Sequence, residues 1–224
     1  MELTDMHMYV KALIKVTDRY APSRPISFDA VHIFKTLQLI EERGHVSRYI
    51  LSRELGLGQG IIKTLIKHLK MQKMIYTTNS GTKMTEKGRS IFSQLLTSMP
   101  VEMIIPKCSV ALGRYNYAVL LKQFNFAIKS GIEQRDAAIK IGAKGATTLL
   151  YKDAKFIMPS ANMTYDPLKK EPQIRALLIE RFYPLEEGDA VIIGSDDISR
   201  KTAELAAKSA AIITIMDHEK HNHF

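Results

Sequence analysis

The chain has 224 residues, 46% hydrophobic and 25% charged, enough for one or two domains with a buried core, and this balance excludes disorder as the main state. Its longest apolar runs, residues 117–121 and 210–213, fall far short of the roughly 18 residues a membrane span requires. Glu2 and Asp5 stand where a secretory leader would be positive, and one cysteine, Cys108, excludes an internal disulfide and a multi-cysteine zinc site, so a cytoplasmic setting is expected. The net charge of +9 and pI near 9.5 favour an anionic partner. That charge is concentrated: residues 44–89 hold nine basic and only two acidic side chains.

Met6, Tyr9, Val10, Leu13, Ile14, Thr17 and Tyr20 recur at three- and four-residue steps and predict a short amphipathic helix, stopped by the prolines of residues 21–25. A second helix runs from after Ser27 to Arg43 with Val31, Phe34, Leu37 and Ile40 inward, and Gly44 ends it. Ser47 caps a third helix through Leu55, Gly56-Leu57-Gly58 makes a tight turn, and a fourth helix follows over residues 59–71. Residues 74–78 and 82–85 read as strands joined by an Asn79-Ser80-Gly81 hairpin turn. Thr85 then caps a last helix, residues 86–98. Pro100 and Pro106 bracket a segment that reads as the domain boundary.

Downstream, short apolar runs (residues 117–121, 147–151, 156–158, 190–193 and 212–215) alternate with helical segments near 132–142, 171–182 and 198–210. The alternation predicts a mixed α/β second domain. The chain as a whole is therefore expected to be α+β: residues 1–99 a winged helix-turn-helix with an N-terminal helix, residues 107–217 an α+β domain for ligand sensing or dimerisation, and residues 218–224 a tail.

The order helix, helix, glycine turn, helix, hairpin, helix is that of a winged helix-turn-helix, and the residue chemistry agrees. In the fourth helix Ile62, Leu65, Ile66 and Leu69 form one stripe, and the opposite stripe carries Gln59, Lys63, Lys67 and Lys70 with Thr64 and His68 beside it. Such a face can enter the major groove, where Gln and Lys donate to base edges and Lys neutralises phosphates. Gly58 and Gly60 leave the first turn open to close approach of a phosphate. At the wing, Asn79, Ser80 and Lys83 can touch the sugar-phosphate backbone. Arg48, Arg53, Lys87 and Arg89 would position rather than read. A solvated basic surface or a protein-contact winged helix are the plainer alternatives.

At these residues the chain resembles the winged helix-turn-helix of bacterial and archaeal transcriptional regulators, through "Leu-Gly-Leu-Gly-Gln-Gly-Ile-Ile-Lys-Thr-Leu-Ile-Lys-His-Leu" and the "Met-Thr-Glu-Lys-Gly" after the wing. Through "Gly-Ile-Glu-Gln-Arg-Asp-Ala-Ala-Ile-Lys" and "Glu-Gly-Asp-Ala-Val-Ile-Ile-Gly-Ser" it is similar to archaeal regulators that join such a domain to an uncharacterised C-terminal one. Met74 departs from the pattern, in which a glycine usually precedes the wing strand. The resemblance implies a transcriptional regulator whose partner is double-stranded DNA.

For the second domain, a sensing role would use Arg135, Thr147, Thr148, Ser195 and Asp196, polar groups where strands meet helices. The simpler expectation is that Asp196 or Asp197 caps the following helix and that Arg135 and Asp136 form a surface ion pair. Enzyme motifs are missing: no GxxxxGK[ST], GxSxG or HExxH occurs, and Gly56, Gly58 and Gly60 follow a helix, not a strand, and lack the dinucleotide spacing. Cys108, near Lys107 and Arg114, is expected to be inert, and His218, His221 and His223 to be adventitious. The reading is thus a cytoplasmic homodimeric DNA-binding regulator with a small-molecule effector, no cofactor, no metal, no membrane and no catalysis. The alternatives are an RNA-binding winged helix and an enzyme with its site in the C-terminal domain.

Overall fold

A computed structural model describes residues 3–17, 26–159 and 166–221. The expected end of the first helix at residues 18–25, and the side chains of His218, His221 and His223, lie outside what is described. The chain divides into two compact units, residues 1–96 and 97–224. Among the described residues no helix is long and apolar enough to cross a membrane.

The first unit contains α1 (Leu3–Val16), α2 (Ala30–Arg43), α3 (Arg48–Leu55), α4 (Gln59–Met71), the hairpin β1 (Ile75–Thr78) and β2 (Gly81–Met84), and most of α5 (Glu86–Ser98). Local signals set these limits. The Ser47 hydroxyl accepts the Ile50 N–H at 3.2 Å to cap α3, and the Thr85 hydroxyl accepts the Gly88 N–H at 3.1 Å to cap α5. Gly56 turns the chain between α3 and α4 at φ 68°, a left-handed conformation that a side chain would strain. Val31, Phe34, Leu37 and Ile40 of α2 are buried, as are Leu51, Leu55, Ile62, Leu65, Leu69, Phe92 and Leu95. Each such side chain contributes about 1.5–3 kcal/mol on leaving water.

The second unit is built on a five-stranded, fully antiparallel sheet in the order β3-β4-β7-β5-β6, where β3 is Glu102–Ile105, β4 Tyr115–Leu121, β5 Gly145–Lys152, β6 Lys155–Ile157 and β7 Ala190–Asp196. Helix α6 (Ile132–Lys140) and helix α8 (Arg200–His221) pack on one face. On the other, Ile174, Leu178 and Phe182, in and just after α7 (Pro172–Arg181), join Ile105, Leu120, Leu149, Phe156, Val191 and Ile193 in an apolar core. Gly194 marks where α8 rides closest to the sheet: a Cβ there would lie 2.3 Å from the Ala203 carbonyl oxygen.

Two expectations are corrected here. The segment between Pro100 and Pro106, read as a boundary, is the edge strand β3, paired among the described residues with β4 alone; prolines flanking an edge strand remove no ladder hydrogen bond. Residues 212–215, read as a strand, belong to α8, where Ala206, Ala207, Ala210, Ala211 and Ile215 are buried with Ile212. Helical periodicity over the longer segment outweighs the local β-branched run.

Candidate nucleic-acid interface

Helix α4 is strongly two-sided. Ile62, Leu65, Ile66 and Leu69 are buried, and Gln59, Gly60, Lys63, Thr64, Lys67 and Lys70 are exposed. A Cβ built on Gly60 meets nothing within 4 Å, so the backbone of the first turn is open to a close-lying group. The Thr64 hydroxyl donates to the Gly60 carbonyl at 3.2 Å and keeps its acceptor side outward. Lys70 reaches Thr77 of β1, its ammonium donating at 3.1 Å, and so ties the exposed helix face to the wing.

Between α4, the start of α3 and the wing lies a groove of about 460 Å³, lined by Arg48, Lys63, Thr77, Thr78, Asn79 and Ser80 among others. A single antiparallel bridge, Val46 to Thr82, holds the wing against the chain entering α3 and fixes one wall of it. The Thr78 and Ser80 hydroxyls lie 2.8 Å apart across the tip. Thr77 and Thr78 escaped the sequence reading, because nothing local distinguishes a groove-lining threonine from a solvated one on a two-stranded ribbon.

The structure brings together Arg48, Lys63, Asn79 and Ser80 from the expected set. Lys83 stands apart: it pairs with Tyr76 in the hairpin register, on the ribbon face opposite to Thr82, and does not line the groove. His68 is a correction. It is buried, its Nδ1–H donates to the Val16 carbonyl at 2.8 Å, and its ring meets Phe28 edge-on at 5.5 Å between centroids. At 100° per residue His68 lies only about 60° from Leu65, at the flank of the buried stripe. That angle was the signal for an inward position.

Charge pairing sorts the remaining cations. Arg89 Nη1 lies against both carboxylate oxygens of Glu41, and Arg53 pairs with Glu54 at 2.8 Å, so the positioning role expected of both is weakened by a built-in counter-ion. Lys87 donates to the Gln72 carbonyl at 2.9 Å. Among the described residues, none of Arg48, Lys63, Lys67 and Lys83 has a carboxylate within ion-pair distance. The positive field on this side is therefore not cancelled locally.

Residues 31–99 match the family model described as the CggR N-terminal DNA binding domain. The first unit carries the pattern of a DNA-binding domain. Residues 112–215 match a domain of unknown function, DUF4443. Among solved structures, hypothetical protein PH0730 from Pyrococcus horikoshii OT3 is 26% identical, with 87% of this chain and 95% of that one aligned at a TM-score of 0.63. No curated protein matches the chain. The chain thus couples a segment similar to a helix-turn-helix DNA-binding domain to a helix and sheet domain similar to an uncharacterised family.

The polar residues considered for sensing are not gathered into one site. Arg135 pairs with Asp136 at 2.8 Å. Thr147 and Thr148 are both buried, on opposite faces of β5. The Ser195 hydroxyl donates to Asn116 Oδ1 at 2.8 Å and accepts the Leu112 N–H at 3.1 Å. Asp196 Oδ2 accepts the N–H groups of Ile198 and Ser199 at 3.1 and 2.7 Å, while the Ser199 hydroxyl accepts that of Thr202. Ser199 is thus the cap of α8 and Asp196 braces the turn before it, a correction to the expected assignment. Burial pushes the Cys108 thiol up from its ordinary pKa, away from a reactive thiolate.

Proposed function

We propose that the protein is a sequence-specific, DNA-binding transcriptional regulator of the cytoplasm that acts as a homodimer and performs no catalysis. Helix α4 enters the major groove, Gln59 and Lys63 reading base edges and Lys67 reaching phosphate, while Arg48 and the wing tip at Asn79 and Ser80 rest on the backbone. The observation that carries this reading is the exposed basic and amide face of α4, free of carboxylate pairing among the described residues and adjoining a polar groove, within a segment that matches a DNA-binding family. Dimerisation follows from the geometry of recognition: one such helix reads few base pairs, and two half-sites supply useful specificity.

Selection of bound fragments from genomic DNA, followed by titration of the selected duplex and a random duplex at one salt concentration, tests the proposal. Gln59→Ala and Lys63→Ala are expected to narrow the gap between the two duplexes by about 1–3 kcal/mol each. Equal binding of both duplexes by the parent protein would refute the specific reading, and preference for structured RNA over the selected duplex would replace it.

A further inference from the structure

The helices of the second unit cover its sheet unequally. Helix α8 lies mainly against β4 and β7, and α6 against β5; at the edge strand β3 the α8 side chain Lys208 reaches Glu102, while Ile104 stays exposed. Side chains alternate along β3 and β4, which puts Glu102, Ile104, Tyr115 and Tyr117 on the α8 side of the sheet. The result is a groove of about 560 Å³ beside the first turn of α8, lined by Ile104, Lys107, Arg114, Tyr115 and Arg200 among others. Its size is that of a small-molecule site.

The charge in this groove is one-sided. Among the described residues, none of Lys107, Arg114 and Arg200 has a carboxylate within ion-pair distance. The neighbouring acids hold other partners too, although the field of Asp197 also reaches Lys107. Glu102 and Glu204 flank the ammonium of fully buried Lys208, which also lies 5.5 Å from the Tyr117 ring centroid. Asp197 holds Lys144 at 2.8 Å and accepts the Arg114 backbone N–H. The guanidinium carbons of Arg114 and Arg200 lie 5.3 and 5.7 Å from the centroid of the same ring, Tyr115. Stacking orients a guanidinium while leaving its N–H edge available. Three cations thus line one groove whose lining holds no carboxylate, an environment that favours an oxyanion. Ile104, 57% exposed, supplies an apolar wall.

We infer that this groove binds a small organic phosphate, its dianionic head between Arg114 and Arg200 with Lys107 at the rim, and its body against Ile104 and Tyr115. Phosphate suits the site better than a monocarboxylate, because its dianionic charge matches more of the three cations and its third terminal oxygen allows it to accept from more than one of them at once. The inference concerns the second unit alone and does not rest on the DNA-binding reading.

Calorimetric titration of the full chain, in low salt without phosphate buffer, tests it with phenyl phosphate, inorganic phosphate, benzoate and phenol as probes. Phenyl phosphate is expected to bind once per chain and at least about tenfold more tightly than each of the other three. Arg114→Gln and Arg200→Gln are each expected to weaken it by about tenfold or more, whereas Arg181→Gln, an exposed arginine of α7, leaves it unchanged. Circular dichroism of the variants confirms that each is folded. Absence of heat with phenyl phosphate, or equal affinity in the two groove variants, overturns the assignment. If phenyl phosphate is silent and the same variants weaken duplex DNA, the assignment is likewise overturned and the groove is a track for nucleic-acid backbone.

Discussion

Replacing Arg48 by alanine should flatten the salt dependence of DNA binding, and the structure sets the size of the effect. Arg48 and Lys67, assigned to the phosphate backbone, are exposed and lack carboxylate partners among the described residues, so each can displace a counter-ion from a phosphate. Two subunits then make about four phosphate contacts, which predicts a slope near −3.6 in log K against log salt and roughly a 150-fold loss between about 50 and 200 mM. Arg48→Ala removes one contact per subunit and makes the slope shallower by about 2. Arg53 supplies the control, because its guanidinium already pairs with Glu54 at 2.8 Å and has little counter-ion release to offer. Fluorescence anisotropy of a labelled duplex across a salt series reads both slopes. Equal flattening by Arg48→Ala and Arg53→Ala, or a parent slope shallower than about −2, would refute the charge-pairing argument.

Four further outcomes follow from packing and titration. His68→Leu leaves the buried Val16 carbonyl without this donor and should destabilise the first unit by about 1–3 kcal/mol in denaturant titrations, with the salt slope of DNA binding unchanged. Gly194→Ala drives a methyl into the backbone of α8 and should destabilise the second unit by about 1–3 kcal/mol or more, seen as a lowered thermal transition. Lys208→Met removes the buried ammonium that Glu102 and Glu204 flank and should cost about 3–5 kcal/mol, which simultaneous replacement of both acids by glutamine should largely restore. His32 is held below its ordinary pKa of 6.5 mainly by burial, and its Nδ1 accepts the Asp29 N–H. The folded chain therefore binds fewer protons there than the unfolded chain, so stability should fall as pH drops through 6.5, and His32→Gln should remove that part of the dependence in urea titrations at pH 5 to 7.

How much of this was legible in the sequence depended on how local each signal is. Helix limits in the first unit rest on single caps and turns, Ser47, Gly56 and Thr85, whose hydrogen bonds or dihedrals span only a few residues, and α4 showed its two faces through spacing alone. Where tertiary contact decides, local reading failed. The β-branched run at residues 212–215 reads as a strand until α8 is seen packed on β7 and β4, with most residues from Ala203 to Ile215 buried. β3 hid between prolines because an edge strand needs only one hydrogen-bonded neighbour, and that neighbour, β4, begins ten residues downstream of it. His68 went wrong by about 60° of helical angle, within the margin at which the end of α1 claims a flanking side chain. The basic groove was invisible for a stronger reason: Arg114 and Arg200 are far apart in sequence and meet over Tyr115 only because β4 runs beside β7 and α8 follows β7 directly. The same topology binds Glu102 and Glu204 to Lys208 and Asp197 to Lys144, so the cations of this nearly neutral half are left unbalanced at one place. Net charge per segment thus located the excess in the first unit but could not locate this one, since a local field depends on which acids the fold has already engaged.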